Sequence, residues 1–307
     1  MRLGTRGSAL ALAQAELVAA RLAEAEVIRT ADLYEDAEAM ESRRGADADK
    51  SRWVSHLERA LLDRRIDLAV HSAKDVPGEL ADGLSLLGAP ARGAVEDVLV
   101  GAAGLEALAP AARVGTASLR RAAQLRAARA DLEVVALEGN VDTRMRKLRD
   151  GPEELDAIVL ARAGLDRLGV EPGPMAVLDP ARFVPAPGQG VIALEGRLGD
   201  RDAEAAAGSL GDHVTLACLT AERAVARAIG ASCEAPFGAH AAAPDGEEGP
   251  IHLRAWAGLP DGSAWIMDEL GGELAAAQAL GLAVAERMRA AGAADLLAEA
   301  REMVRGG

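Results

Sequence analysis

Ile66-Asp67-Leu68-Ala69-Val70-His71-Ser72-Ala73-Lys74-Asp75-Val76-Pro77 changes character halfway along. Ile66 to Val70 is short and apolar, which predicts a buried strand. From His71 the chain turns polar and runs into a proline, which predicts a loop leaving the strand's carboxyl end. In open α/β sheets that end is where ligands bind. Asp75 can stabilise a cation or move a proton, while Lys74 and Ser72 can hold an anion. A polar loop with a local ion pair is an equally good reading of the same composition.

Working outward, strand and helix patterns alternate. Arg2 to Thr5 reads as a short extended start, and Ser8 can cap a helix running to about Ala23. Val27 to Leu33 reads as a strand. Residues 35–50 carry almost no large apolar side chain and suggest a mobile loop or lid. Trp53, Leu57 and Leu61 predict a helix from Ser51 to about Arg64. Strands are expected within Ala94–Val100, at Arg113-Val114, over Glu133–Leu137 and over Asp156–Leu160. Helices are expected over Leu119–Ala130, Asp142–Arg149 and Ala163–Leu168. This alternation implies a mostly parallel sheet with helices on both faces, an α/β protein. Pro172, Pro174, Pro180, Pro185 and Pro187 lead into Gly188-Gln189-Gly190, which reads as a crossing between domains. His213 to Ile229 is a strong helix stopped by Gly230. Pro260-Asp261-Gly262 signals a hairpin, and helices over Leu274–Arg289 and Ala291–Val304 complete a small α+β unit. No internal repeat stands out.

The chain has 307 residues, enough for two or three domains, and a formal charge of −14. That sign disfavours nonspecific nucleic-acid binding. An acidic ligand would need a local basic cleft. No uncharged run reaches the ~18 residues of a membrane span. Two cysteines form no disulfide framework, and no leader is evident, so a cytoplasmic protein is the expectation. Five histidines show no metal-ligand spacing.

Gly115-Thr116-Ala117-Ser118-Leu119-Arg120-Arg121 places hydroxyls, free amides and two arginines at a helix start, a good anion site. The plainer alternative is a capped helix with solvated arginines. Arg6, Arg144 and Arg167 also fall near the ends of strands or helices. Cys233 sits in a polar stretch beyond a helix end and can act as nucleophile or anchor. Cys218, inside a helix between Leu216 and Leu219, reads as a core residue.

Gly4-Thr5-Arg6-Gly7-Ser8, His71–Pro77, Val114–Arg121, Gly139-Asn140, Thr143-Arg144, Ala163–Gly169, Pro185–Gly190, Thr220-Ala221-Glu222-Arg223 and the Cys233 loop together resemble the porphobilinogen deaminase family. The resemblance spans nearly the whole chain. It implies two domains like a type II periplasmic binding protein, at 1–92 with 190–209 and at 93–189, plus a small α+β domain at 210–307. It implies a transferase of porphyrin and heme biosynthesis that condenses four porphobilinogen molecules, loses ammonia and releases a linear tetrapyrrole. It further implies a dipyrromethane cofactor attached to Cys233, no metal and a monomer.

By the same resemblance Asp75, Lys74 and Arg6 carry the chemistry. Asp75, Ser72, Lys74, Thr116, Ser118, Arg120, Arg121 and Gln189 hold the cofactor with Cys233, and Arg6, Ser8, Arg144 and Arg167 take substrate carboxylates. The chain departs from the family pattern at Glu138, where an arginine is usual, at Asp142, and at residues 48–53 and 93–97. A homologue stalled early in elongation and a noncatalytic binding module for an acidic molecule are the alternatives.

Overall fold

The structure, a computed structural model, describes residues 1–34, 51–151, 154–231, 235–244 and 249–306, with 51–55 and 306 as backbone only. The first part of the chain runs β1 Arg2–Thr5, α1 Ala9–Ala19, β2 Glu26–Arg29, α2 Thr30–Leu33, α3 Ser51–Leu62, β3 Leu68–Ser72 and β4 Leu84–Gly88. Next come β5 Asp97–Val100, β6 Arg113–Gly115, α4 Leu119–Ala128, β7 Glu133–Val135, α5 Val141–Asp150, β8 Ala157–Ala161, α6 Arg162–Leu168 and β9 Met175–Leu178. The rest is β10 Ile192–Arg197, α7 Arg201–Leu210, α8 His213–Ile229, β11 Phe237–Ala242, β12 Ile251–Gly258, β13 Trp265–Gly272, α9 Ala277–Ala290 and α10 Ala293–Gly306.

The chain divides into two compact units, Met1–Gly93 with Gly190–Leu216, and Ala94–Gln189 with Ala217–Gly307. In the first unit one sheet has the order β2-β1-β3-β10-β4. β1 is parallel to β2 and β3, and β10 is antiparallel to β3 and β4. Side chains alternate across β3. Leu68 and Val70 join Leu3, Val18, Leu194 and Ala207 on one face, while Ala69 joins Leu57, Leu61 and Ile66 on the other. Burial of each such leucine or isoleucine contributes roughly 1.5–3 kcal/mol.

The second unit holds a sheet of order β7-β6-β8-β5-β9 and a separate antiparallel sheet β11-β12-β13. In the first of these, β5 is antiparallel to β8 and β9, and β6 is parallel to β7 and β8. Leu99, Val114, Leu125 and Val159 fill one face, and Val98, Leu137, Ile158 and Leu165 the other. The fold is therefore α/β with two five-stranded mixed sheets and a small three-stranded one. The α/β class with two larger sheets and a separate small one agrees with the resemblance.

Several local expectations change. His71 and Ser72 lie inside β3 rather than in the following loop, and His71 is buried. The helix capped by Ser8 ends at Ala19, and Glu24 just beyond takes a positive φ of 52°. Residues 27–33 are not one strand, because β2 stops at Arg29 and a short helix follows. β4, β9, β10, β11 and α7 were not anticipated. Cys218 is buried in α8, as expected. The segment 35–50, read as a lid, and Cys233 lie outside the described residues.

Candidate active site

In the first unit β1 ends at Thr5, whose buried hydroxyl donates to Ala11 O at 3.2 Å. This turns the chain so that Arg6 follows the strand and Ser8 caps α1, accepting from the Ala11 N–H at 3.3 Å. Across the β1–β3 pairing the chain leaves β3 through a short 3-10 turn, Ala73–Asp75. Arg6 Nη1 then lies 3.8 Å from Asp75 Oδ2, with both side chains about one-third exposed, at 34% and 29%. At that exposure the attraction itself is worth only ~0–1 kcal/mol. Lys74 beside them is half-buried. Ser72 Oγ is paired with the buried Gln14, whose Nε2 donates to it at 2.9 Å. Structure thus brings Arg6, Lys74 and Asp75 together at the carboxyl ends of β1 and β3, with Ser72 tied beneath them.

In the second unit β6 delivers the buried Thr116, whose Oγ1 accepts from Ser118 N–H at 3.2 Å. Ser118 caps α4 by accepting from Arg121 N–H at 3.4 Å. Arg120 and Arg121 are not the solvated pair of the plainer reading. They are 3% and 7% exposed and converge on Asp97, itself 1% exposed. Arg120 Nη1 donates to Asp97 Oδ2 at 2.8 Å and to Val184 O at 2.9 Å. Arg121 donates to Asp97 Oδ1 from Nε at 3.0 Å and from Nη2 at 2.7 Å, and from Nη1 to Val159 O at 3.2 Å. Gln189, fully buried, donates to Asp97 Oδ1 at 2.9 Å and to Val95 O at 2.7 Å.

Burial pushes the Asp97 carboxyl up, but the charges and hydrogen bonds of Arg120 and Arg121 outweigh it and hold it well below the usual carboxylate range. Two guanidiniums on one carboxylate leave one positive charge in excess in this cluster. Arg120 Nε is buried with no hydrogen-bond partner among the described residues. Arg144, in the first turn of α5, and Arg167, in the last turn of α6, are half-buried. Burial lowers the Arg167 guanidinium below its usual range and Asp166 opposes this. Glu138 is exposed and forms no ion pair among the described residues.

Three positions escaped the sequence reading. Asp97 stood there only as part of a departure from the family pattern, although it organises the arginines. Glu222 was noted only within a motif. It is fully buried and accepts from Gly188 N–H at 2.6 Å and Ala241 N–H at 2.7 Å, joining α8, β11 and the Pro185–Gly190 stretch. Glu195 went unnoticed in β10. A charged residue inside an otherwise apolar run, as in Val191-Ile192-Ala193-Leu194-Glu195, is the signal that marks it.

Residues 1–205 match the sequence model of the "Porphobilinogen deaminase, dipyromethane cofactor binding domain", and residues 216–290 match the "Porphobilinogen deaminase, C-terminal domain". A porphobilinogen deaminase of Deinococcus deserti is 42% identical, the alignment covering 97% of this chain and 98% of the relative. One from Thermus thermophilus is likewise 42% identical, with the same coverage of 97% and 98%. Among solved structures, the methionine-binding protein MetQ aligns with a TM-score of 0.38 and 14% identity over 68% of this chain and 87% of its own, too distant a match to carry any argument. Two family domains in order and relatives matched end to end agree with the residues gathered at the strand ends: the chain belongs to the porphobilinogen deaminase family.

Proposed function

We propose that the chain is a hydroxymethylbilane synthase, joining four porphobilinogen molecules head to tail with loss of ammonia and hydrolytic release of the linear tetrapyrrole. The observation that carries this reading is Asp75 held beside Arg6 at the end of β3, within the residues matched by the cofactor-binding domain. Departure of ammonia from the aminomethyl carbon leaves an electron-poor pyrrole. A fixed carboxylate beside the ring nitrogen stabilises that positive charge more in the transition state than in the resting complex. In this reading Asp75 does so and takes up the proton that the pyrrole carbon releases once it has bonded to the methylene carbon. Arg6 and Lys74 supply positive charge next to it for the acetate and propionate groups, and Ser8, Arg144 and Arg167 are the other carboxylate-binding residues of this reading. Positioning of this kind is worth much of a rate enhancement, because it replaces a chance encounter with a fixed geometry.

The family's cofactor is dipyrromethane, and the residues present fit it. The start of α4 offers two hydroxyls, the Asp97 cluster has a surplus positive charge, and Arg120 Nε is a buried donor in need of an acceptor. Thr116, Ser118, Arg120, Arg121, Gln189, Ser72 and Lys74 would hold its carboxylates, with Cys233, inside the residues matched by the C-terminal domain, as the attachment point. When bound, the group supplies the acceptor carbon onto which the chain grows. Ser72 contributes through Gln14 as much as directly, since the two side chains are already paired.

Three domains, at 1–92 with 190–209, at 93–189 and at 210–307, a monomeric state and a cytoplasmic location belong to the same reading. No helix among the described residues is long and apolar enough to cross a membrane. No observation favours a stalled homologue or a noncatalytic binding module. Intact mass before and after adding porphobilinogen tests the proposal. The expected result is a covalent adduct of two pyrrole units at rest, and further additions of single units with substrate. A protein with neither adduct refutes it.

A further inference from the structure

β3 carries a second group of titratable side chains on the face opposite α1. His71 and Glu195 lie on one face of the β3–β10 pair, since His71 stands opposite Ala193 and Ala69 opposite Glu195. His71 Nε2 is 2.9 Å from Glu195 Oε2, with side-chain exposures of 4% and 0%. The contact is close in distance but off the angle of a good hydrogen bond, and neither Glu195 oxygen has another hydrogen-bond partner among the described residues. Glu58 of α3 faces the same pair and accepts from Ala81 N–H at 3.0 Å. Burial raises the Glu58 carboxyl above its usual range, and Glu195 raises it further while His71 pulls it down.

Two apolar residues would join β3 to β10 as well, without the cost of burying polar groups. What a close polar pair adds is a preference for one register, because a slipped strand would leave both groups buried apart from each other. The next two residues are also tied, each to a different partner: Ser72 to Gln14 of α1, and Ala73 N–H to Val191 O at 3.0 Å. Asp75 follows two residues later, at the end of the 3-10 turn. We propose that the buried His71–Glu195 pair, with Glu58 facing it, is a positioning unit that fixes the carboxyl end of β3 and thereby aims Asp75 at the reacting pyrrole. This rests on the reading of Asp75 given above. A shift on the order of 1 Å at a reacting group costs up to about 100-fold in rate, so a loosened strand end reads out as lost turnover.

The test compares His71→Gln, Glu195→Gln, the double variant and Asp75→Asn, each measured as kcat per covalently loaded site, KM for porphobilinogen and thermal midpoint. The expected result is a loss of about 10- to 100-fold in kcat for each single amide, with KM within about 2-fold. The double variant should recover part of that loss, because two amides can bond to each other without net charge. Glu195→Asp keeps the carboxyl group and shortens the reach. It gives the same readout should the amides fold poorly, and a drop in kcat is again expected. A fall in thermal midpoint with kcat per loaded site unchanged overturns the positioning role and leaves a structural pair. Full turnover by Asp75→Asn overturns the reading of Asp75 and this role with it. Loss of turnover in Asp75→Asn, with His71→Gln and Glu195→Asp unaffected, overturns this role alone.

Discussion

Replacing Asp97 by asparagine removes one negative charge from beneath two buried guanidiniums. Four donors converge on that carboxylate, from Arg120 Nη1, Arg121 Nε and Nη2, and Gln189 Nε2. After the change Arg120 keeps Val184 O, Arg121 keeps Val159 O and Gln189 keeps Val95 O. Those carbonyls satisfy single N–H groups but neutralise nothing. Breaking a buried pair by deleting one partner costs about 3–5 kcal/mol, a large part of a typical 5–15 kcal/mol of stability. A thermal midpoint lower by on the order of 10 °C is therefore expected.

Trp256, buried against Ala123 and Val184, reports on this part of the second unit by its fluorescence during denaturant unfolding. The pH dependence has a definite sign. The folded carboxyl is depressed, so the unfolded chain binds the proton first. This contribution to stability is fully present above the ordinary carboxylate value of about 3.9 and is lost as pH falls below it. Asp97→Asn should lack that part of the acid slope. The triple change Asp97→Leu, Arg120→Met and Arg121→Met should regain most of the stability, since a buried charge cluster can be exchanged for packed apolar groups at little cost. It should also lose the cofactor. A stability change under about 1 kcal/mol for Asp97→Asn would show that another group neutralises the arginines and would refute this account.

Peptide mapping of the purified protein should find the two-pyrrole adduct on Cys233 and leave Cys218, 3% exposed in α8, unmodified. An unmodified Cys233 peptide from an active preparation contradicts the assignment. Asp75→Asn should keep the fold, because its ion pair is partly solvated, and lower kcat by about 10²- to 10³-fold. Near-normal product formation would hand the chemistry to another group. Glu138→Arg should tighten porphobilinogen binding and speed elongation with stability within about 0.5 kcal/mol, since the residue is exposed and unpaired among the described residues. Unchanged kinetics would place Glu138 outside the substrate's field.

The elements most legible in the sequence were those that carry their own punctuation. His213–Ile229 ended at Gly230, which takes a φ of 73°, and Ser8 capped the helix assigned to it. β4, β10 and β11 were overlooked because their signals depend on partners distant in the chain. β10 pairs with β3 across more than a hundred residues of sequence, and only that pairing reveals why Glu195 is there. The arginines at the start of α4 stood out in the sequence, but their convergence on Asp97 did not. A single aspartate in Glu96-Asp97-Val98 gives no hint that the helix after the next strand will fold its side chains back onto it.

The two five-stranded sheets explain why the candidate residues recur at strand ends. Counting the parallel strands of each in chain order, both have the spatial order 2-1-3-n-4, where n is β10 in the first and β5 in the second. Gly4 pairs with Ala69 of the third strand as Gly115 pairs with Ile158. A Cβ on Gly4 would come within 2.3 Å of Ile66 Cδ1, and one on Gly115 within 2.8 Å of Leu137 Cδ2, so a larger residue at either position would require those side chains to move. A buried threonine follows each glycine, then a capping serine, then a helix. The repeat escapes a reading by composition because only Gly-Thr and the cap are shared. Arg6 and Ser8 thus occupy in the first unit the place that Thr116, Ser118 and the α4 arginines occupy in the second. The third strands likewise deliver Lys74 and Asp75 in one unit and the helix of Arg167 in the other. One topology used twice offers the same anion-friendly strand ends twice, and what differs is the charge placed there. The first carries the acid, Asp75. The second carries two arginines on one aspartate and keeps a surplus of positive charge inside a protein whose formal charge is −14. The same strand-end geometry thus carries a carboxylate beside Arg6 in one unit and a buried arginine pair in the other.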